Sequence, residues 1–379
     1  SPINNDQNVP VAYVVNNADG GWVIVSATTD YYPILAFSES GQFTLDSNKN
    51  DGLKDWIDET ILAIEESDKL DNETSSIIAA EWLQYTSEIQ IEQLSGPPGG
   101  NSPEAVMCRN RMKELNETYY TDGWSFRTLS SFTGMSIPDQ VYSIADQVRS
   151  PYEYTIVGIK DVSSKTTNGP LLTTKWDQEK GFNELCPNKH PAGCAAIAMA
   201  QIMKFHKYPS SFDWNSMPDD YATYASQYLI ADIGKTIGIN YGSGGSEAKD
   251  YDIPNGFIAY GYQSSIKGHN SNDVISEITK FKRPVCMTGV NPSTASGHAW
   301  VCDGVEQRNS KKEYYVEYVN NGKYDNFGYT LIDNPGSFGY TSYYYFHINW
   351  GWNGTDDGWF VDNNIKYSTI RKDIFVSLN

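Results

Sequence analysis

One apolar segment constrains the fold of this chain more than any other, residues 191–209, PAGCAAIAMAQIMKFHKYP. From Ala195 to Phe205 its side chains are apolar on nearly every side of a helix. A helix with that pattern is buried in the middle of a domain. Pro191 and Gly193 stand just before it, which favours a helix start at this point. We therefore expect a central helix surrounded by other elements of the same domain.

Cys194 lies at the predicted start of that helix, where three roles are open. The helix dipole and the free backbone N–H groups of a first turn stabilise a thiolate, which suits a nucleophile. A buried structural cysteine beside alanines is an equally ordinary interpretation. Thirdly, Cys186, His190 and Cys194 form the pattern C-x3-H-x3-C, and these are zinc-ligand types. Structural zinc takes four ligands and only three are local, so we expect no metal and no cofactor.

Length, charge and cysteine usage limit the class of protein. The chain has 379 residues, enough for two domains. Its net charge of −19 provides no basic footprint for phosphates, so nucleic acid is not an expected partner. Five cysteines are too few for a disulfide scaffold, and their odd number leaves at least one thiol unpaired in a monomer. No apolar run approaches the roughly 20 residues that span a bilayer. Ser1-Pro2-Ile3 does not begin a signal peptide, so we expect that any leader has been removed.

The first 95 residues predict a small α+β domain. Short β-rich runs fill residues 11–37, and NADGG between two of them indicates a hairpin. Residues 51–67 carry apolar side chains at helical spacing and carboxylates on the other face, which predicts an amphipathic helix on this sheet. A second helical pattern occupies residues 75–94. It ends in SGPPGGNSPE, residues 95–104, the strongest linker signal in the chain.

The rest of the chain divides at about residue 165. Residues 96–165 contain two helical patterns, AVMCRNRMKEL and IPDQVYSIADQVR, and the strand-like YEYTIVGI, and we assign no fold to this segment. Residues 166–379 contain the apolar helix and strand patterns near PVCMTGV, HAWVCDGV, KEYYVEYV, YYYFHINW and GWFV. That combination predicts an α+β domain with a central helix and an antiparallel sheet. The expected organisation is therefore 1–95, 96–165 and 166–379.

A nucleophilic thiol needs a base that takes its proton and a third group that orients the base. His298, in SGHAWVCDG, stands apart from the other four histidines because it follows a glycine at the start of an apolar strand. On isolated evidence, a satisfied core histidine is the commoner interpretation. Farther on, INWGWNGTDDGWF contains Asn349 and Trp350. An asparagine amide accepts from an imidazole nitrogen, and an indole shields that bond from water. The order Cys, His, Asn-Trp is the chain order of papain-type cysteine proteases.

Three motifs in this order, GCAAIAMAQIMKFHKYP, SGHAWVCDG and FHINWGWNGTDDGWF, resemble those of the streptopain-like cysteine peptidases. These are papain-fold bacterial enzymes made as zymogens. Residues 170–187 resemble the start of the family's mature enzyme. Upstream, GGWVIVSATTDYYPILAFSESGQF resembles its inhibitory propeptide, a fold shared with a free-standing (Spi) protease inhibitor. The resemblance covers most of residues 10–95 and 168–379, and residues 96–165 are longer than the family's connector. It implies a papain-like α+β peptidase domain preceded by a small α+β propeptide domain.

The resemblance also implies roles for single residues. Cys194 is then the nucleophile and His298 the acid/base, with Asn349 and Trp350 supporting the imidazole. The papain motif C-G-S-C-W is absent, so these assignments depend on the streptopain pattern. Four further positions match the family's oxyanion donor, two substrate contacts and a cleft wall: Gln178, Ser246, Gly297 and Trp352.

The function implied is that of a secreted or cell-envelope bacterial cysteine endopeptidase that is latent until its propeptide is removed. Its partners are then protein or peptide substrates and its own propeptide, which acts as an intramolecular inhibitor. We expect activation cleavage near Ser164, Lys165 or Thr166, just before the mature-like sequence. Two alternatives remain open. One is a catalytically silent surface or inhibitor protein that binds another protease through its propeptide-like domain, and the other is acyl transfer to an amine.

Overall fold

The computed structural model describes residues 1–44, 51–71, 102–128, 155–290, 297–320, 323–327, 341–362 and 371–378, with 74–75, 77–79, 81–82 and 85. Two compact units are present: unit 1 joins Ser1–Asp71, Thr166–Gln307 and Tyr343–Asn379, and unit 2 joins Asn72–Lys165 and Arg308–Ser342. Each unit thus combines parts that are distant in sequence, and the three-segment organisation stays a prediction. The pattern IPDQVYSIADQVR and most of the linker and of the helical pattern at 75–94 lie outside the described residues.

The elements of the described residues follow in chain order. The strands are β1 (Pro2–Asn4), β2 (Pro10–Asn16), β3 (Trp22–Ser26), β4 (Ile34–Ser38), β5 (Trp124–Thr128), β6 (Thr155–Asn168), β7 (Gln263–Gly268), β8 (Val285–Val290), β9 (Gly297–Asn320), β10 (Lys323–Phe327), β11 (Thr341–Asn349), β12 (Gly358–Val361) and β13 (Lys372–Ser377). The α-helices are α1 (Asp51–Glu65), α2 (Pro103–Tyr119), α3 (Cys194–His206), α4 (Tyr224–Thr236), α5 (Asp252–Ala259) and α6 (Ser271–Thr279). Short 3-10 turns lie at Ser67–Lys69, Tyr120–Asp122, Pro187–Lys189 and Trp214–Ser216.

The N-terminal part of unit 1 is an antiparallel sheet of β1 to β4 with α1 packed beside it. β2 and β3 form the predicted hairpin, in which Asn16 pairs with Trp22 and the NADGG turn closes through a bond from the Asn17 N–H to the Gly21 carbonyl. α1 buries the apolar side chains that recur at helical spacing, among them Trp56 and Ile57. The hairpin and the amphipathic helix predicted from the sequence are both confirmed.

The central helix of unit 1 is α3, as the sequence predicts. Every residue from Ala195 to Met203 is buried, and the helix packs against α4, α5 and β8. Burial of each large side chain, such as Ile197 or Ile202, contributes about 1.5–3 kcal/mol. The helix ends at His206 because Lys207 adopts a left-handed conformation, and its N–H caps the last turn. This helix is the fixed element from which the first residue, Cys194, projects.

One sheet runs through unit 1 in the order β1-β2-β3-β4-β12-β11-β9-β8-β13-β7. The N-terminal strands join the rest where β4 pairs antiparallel with β12, Phe37 opposite Trp359 and Ala36 opposite Phe360. Gly358, the first residue of β12, has no room for a side chain, because a Cβ there would lie 2.7 Å from the Phe37 carbonyl oxygen. The predicted strands of residues 284–361 are confirmed, and they position His298 and Asn349 at strand ends.

Unit 2 has its own core. The helix α2, predicted from AVMCRNRMKEL, packs on β5, and the buried side chains include Cys108, Leu115 and Phe126. A buried carboxylate, that of Glu317, is paired with the Arg111 guanidinium at 2.8 Å. Within the described residues, no helix of either unit is long and apolar enough to cross a membrane.

Candidate active site

The thiol of Cys194 is presented by the first residue of α3. Gly193 precedes it with φ of +89°, in the region that favours glycine, and a Cβ there would come within 3.0 Å of Ile239. This glycine lets the chain turn sharply into the helix. Cys194 is half-buried, whereas the helix residues that follow are fully buried. The thiol therefore lies at the border between the core and solvent.

The ionisation of Cys194 differs from that of the other cysteines. Burial by itself raises the pKa of its thiol, but the charge and hydrogen bond of His298 and bonds with the backbone of Ala299 and Ala195 outweigh burial, so the pKa lies below the usual value. In contrast, burial raises the pKa of Cys108 to about 11. All five cysteines lie in described residues and none is in a disulfide. The structure thus pairs Cys194 with His298, as a nucleophile and base require.

The imidazole of His298 is oriented by a main-chain carbonyl. His298 is the second residue of β9, 4% exposed, and its Nε2 lies 3.1 Å from the carbonyl oxygen of Trp350. A carbonyl only accepts, so Nε2 carries the proton of this hydrogen bond. Nδ1 is then the ring nitrogen available to take the thiol proton of Cys194.

Asn349 lies close by, but its amide makes other bonds. Its Oδ1 accepts from Gln201 Nε2 at 3.0 Å and from the Gly351 N–H at 3.1 Å, while its Nδ2 donates to the Thr174 carbonyl at 2.8 Å. The sequence predicts that this amide oxygen accepts from the imidazole. In the structure the Trp350 carbonyl does so instead, because two other donors already occupy the Asn349 oxygen.

Gln201 is the functional candidate that the sequence analysis did not single out. It is fully buried, and its Oε1 accepts from the Thr174 hydroxyl at 2.8 Å. The signal was present, since Gln201 is a polar residue within the apolar helix, seven residues after Cys194. Seven residues make nearly two full turns, so both side chains lie on one helix face.

Three indoles surround the imidazole of His298. The ring of Trp352, the predicted cleft wall, is nearly parallel to it, with ring centres 6.0 Å apart. Trp300, two residues along the strand, is stacked at 6.1 Å, and Trp350 is tilted at 6.4 Å. With these rings around it, the His298 side chain is almost completely buried, and its hydrogen bond lies in a region of low dielectric constant.

Two of the remaining predicted residues, Gln178 and Ser246, contact the loop that precedes Cys194, and the third, Gly297, lies on β9. Gln178 is buried and its backbone carbonyl accepts from the Ala192 N–H at 2.7 Å. The Ser246 hydroxyl donates to the Pro191 carbonyl at 2.6 Å, so its contact in the structure is with this loop. Gly297 is exposed at the start of β9. Their oxyanion and substrate-binding roles stay predictions. Among the described residues, no cluster of three or more His, Cys, Asp or Glu is arranged to hold a metal ion.

Comparisons with known proteins agree with this geometry. The model of the peptidase C10 family matches residues 176–360, and that of the Spi protease inhibitor matches residues 3–64. Streptopain of Streptococcus pyogenes is 22% identical over 395 aligned positions, which cover 92% of this chain and 73% of streptopain. The thiol protease/hemagglutinin PrtT of Porphyromonas gingivalis is 22% identical over 247 positions, 53% of this chain and 24% of PrtT.

A solved structure shares the fold. A fragment of prointerpain A from Prevotella intermedia matches with a TM-score of 0.50 and 19% identity, covering 99% of this chain and 96% of the fragment. The predicted fold class, a papain-like α+β peptidase domain preceded by a small propeptide-like domain, is thereby confirmed.

Proposed function

We propose that Cys194 and His298 perform the catalysis of this chain, which is a streptopain-like cysteine peptidase made as a zymogen with a Spi inhibitor-like propeptide. One observation carries the proposal: the thiol whose pKa is lowered faces an imidazole whose Nε2 proton is held by the Trp350 carbonyl. Such a pair holds a thiolate and an imidazolium ready for acyl transfer.

The reaction proceeds in two halves. The Cys194 thiolate adds to the scissile carbonyl carbon, and the tetrahedral intermediate collapses to a thioester as His298 gives its Nδ1 proton to the leaving amine. His298 then takes a proton from water, whose oxygen attacks the thioester. Collapse releases the carboxylic product and restores the thiolate and imidazolium.

The oxyanion of both intermediates needs hydrogen-bond donors. The backbone N–H of Cys194 belongs to the first turn of α3, where N–H groups have no partner within the helix. The Gln178 carboxamide is the second donor in this proposal. Its support is the bond from the Ala192 N–H to the Gln178 backbone carbonyl, which holds Gln178 beside the loop that leads into Cys194. Each such donor contributes about 3 kcal/mol to transition-state stabilisation.

Casein hydrolysis by full-length protein, trimmed protein and Cys194→Ala tests the assignment. Cys194→Ala should fold and show no turnover, while Cys186→Ala, which removes a buried thiol, should stay active after trimming. An epoxide thiol-protease inhibitor should label Cys194 alone. Turnover by the Cys194→Ala protein would refute the assignment, and an unlabelled, inactive wild-type protein would favour the silent binding protein instead. Product analysis with an added amine detects transfer in place of hydrolysis.

Latency is proposed to come from the N-terminal part of unit 1. Its support is a set of contacts around the segment that carries the imidazole acceptor. The Thr44 N–H donates to Asp356 at 2.9 Å, and the Trp56 ring of α1 meets Phe360 with centres 4.9 Å apart. Trp56 and Trp350 also line one cavity with about 40 Å³ of room for water. The propeptide thus reaches the back of the active-site wall.

Activation cleavage is proposed at residues 164–166. These residues are exposed, but they belong to β6 and not to a loop, so cleavage requires that this end of the strand opens. N-terminal sequencing of the trimmed enzyme identifies the bond, and an uncut full-length protein with full activity would contradict latency. Secretion or cell-envelope attachment is likewise proposed, and fractionation of producing cells tests it.

A further inference from the structure

The acceptor of the catalytic imidazole belongs to the peptide group between Trp350 and Gly351. The carbonyl of that group faces His298 Nε2 at 3.1 Å, and its N–H donates to Asn349 Oδ1 at 3.1 Å. In a trans peptide group the C=O and the N–H point in opposite directions. Fixing the N–H on Asn349 therefore aims the carbonyl towards His298.

Within the turn, the Trp350 N–H donates to Asp357, but the orientation of the next peptide group, between Trp350 and Gly351, depends on a glycine. Gly351 has φ of +76°, a conformation open mainly to glycine, and a Cβ there would lie 3.1 Å from Ile197 of α3. Glycine permits many conformations, so the direction of the Trp350 carbonyl depends on external contacts. The side chain of Asn349 supplies such a contact.

Asn349 is in turn oriented by Gln201. Gln201 Nε2 donates to the same Asn349 oxygen at 3.0 Å, and Asn349 Nδ2 donates to the backbone carbonyl of Thr174 at 2.8 Å. Thr174 also donates its hydroxyl to Gln201 Oε1. Both amides are almost completely buried, so water does not replace a lost bond without rearrangement.

We propose that Gln201 is a positioning residue of the peptidase: through Asn349 it directs the Trp350 carbonyl to His298, and it does so from the helix that carries Cys194. This inference rests on the proposed roles of Cys194 and His298. One rigid helix then sets both partners of the catalytic pair, the thiol directly and the imidazole through two side chains and one peptide group. Asn349 thereby acts on the imidazole without touching it.

The test compares trimmed wild-type enzyme with Gln201→Met, which keeps the length of the side chain and removes its hydrogen bonds. A misdirected carbonyl stabilises the imidazolium less, so the alkaline limb of kcat/KM should move to lower pH by about one pH unit. Misplacement of a catalytic group lowers kcat about 10- to 100-fold. KM should change little, because Gln201 is buried and does not reach substrate.

Gln227→Met is the matched control. Gln227 lies on α4, and its side-chain amide donates to the Gly181 carbonyl at 3.0 Å. The Gln227→Met variant therefore loses a side-chain hydrogen bond that is not connected to the imidazole of His298. Its alkaline limb should coincide with that of the wild type.

Asn349→Ala supplies a second route if Gln201→Met does not fold. It should show the same shifted limb, and where both single variants fold, the double variant should be no worse than the poorer one, because both act through one peptide group. A Gln201→Met or Asn349→Ala enzyme with wild-type kcat and pH profile overturns the relay while leaving the peptidase assignment intact. A wild-type enzyme without a reactive Cys194 overturns the assignment itself.

Discussion

The two sides of the segment Asn349–Phe360 are built in different ways. On the active-site side, buried amides and one carbonyl make hydrogen bonds near 3 Å that end at His298. On the propeptide side, the contacts are strand pairing between β4 and β12, one bond from the Thr44 N–H to Asp356, and aromatic packing on Phe360. Hydrogen bonds require particular atoms in particular directions, whereas aromatic packing scales with buried area.

This difference separates two properties of the zymogen. Substitutions on the active-site side should reduce catalysis of the trimmed enzyme. Substitutions on the propeptide side should weaken latency without changing the trimmed enzyme, because they lie in the part that is removed. Three variants test this separation and a fourth tests the ionisation of a carboxyl in the same segment, in order of decreasing expected effect.

His298→Ala should lower kcat/KM of the trimmed enzyme by at least about 10³-fold, because the thiol loses its base and the leaving amine its acid. Propeptide binding should not change, since the docking contacts of β4 and α1 are made with β12, including its residue Phe360, and with Arg371. Hydrolysis rates of the trimmed enzyme at several substrate concentrations measure kcat/KM, and thermal melting of the uncut protein measures propeptide binding. A His298→Ala protein whose uncut form melts at a lower temperature than the uncut wild type would contradict this separation.

Trp56→Ala should lower the free energy of docking of the N-terminal part by about 3 kcal/mol, because a large buried aromatic contact with Phe360 is lost. The uncut variant should have a lower melting temperature than the wild type, and its propeptide should be cleaved at a higher rate. Leu62→Ala is the control, since Leu62 is on the same helix and 44% exposed. Equal maturation rates for Trp56→Ala and the wild type would show that this contact does not maintain latency.

Glu59→Gln should weaken docking by about 2 kcal/mol, because Glu59 of α1 pairs with Arg371 in a largely buried contact and the arginine would lose its charged partner. Glu65→Gln, at the exposed end of the same helix, is the control. The rate of self-processing at low and high salt measures the effect. An unchanged rate in Glu59→Gln would assign the docking energy to aromatic packing alone.

Asp357→Asn should have the smallest effect, and one that depends on pH. The Asp357 carboxylate accepts the Trp350 N–H at 2.9 Å, and its pKa is raised to about 7 by desolvation and by Asp303 and Asp356, against the opposing Trp350 bond and His347. The usual pKa is 3.8, so the folded state binds a proton that the unfolded state lacks between about pH 4 and pH 7, and stability falls as pH rises.

The Asn variant lacks this titration. Its gain in unfolding free energy over the wild type should grow from near zero at pH 4 to about 1–2 kcal/mol at pH 8, partial exposure reducing the full equivalent. Denaturant unfolding across this range measures it, with exposed Asp220→Asn as the control. A difference that does not vary with pH would contradict the raised pKa.

The sequence was sufficient for elements whose pattern is local. The apolar run of α3, the amphipathic spacing of α1 and the NADGG hairpin are properties of contiguous residues, so they were predicted correctly. The pairing of Cys194 with His298 also followed from motif order.

The hydrogen bonds of Asn349 did not follow from the sequence. Gln201, Gly351 and His298 all have a donor near the Asn349 oxygen and the Trp350 carbonyl, and only the folded backbone decides which donor bonds which acceptor. Gln201 was visible as a polar residue in an apolar helix, but its partner lies 148 residues away. Unit 2 includes residues 308–342 for the same reason, since membership of a compact unit depends on tertiary contacts.

The pairing of β4 with β12 has a consequence for the trimmed enzyme. When the pro-region that contains residues 1–71 dissociates, β12 changes from an interior strand into an edge strand. Its unpaired main-chain N–H and C=O groups can then pair with another extended chain. Maturation would then expose the edge of β12 as well as the active-site cleft. This edge lies next to the loop whose carbonyl orients the imidazole of His298. The released N-terminal fragment already pairs with β12 in a defined register, so it is the first competitor of any other chain that binds this edge.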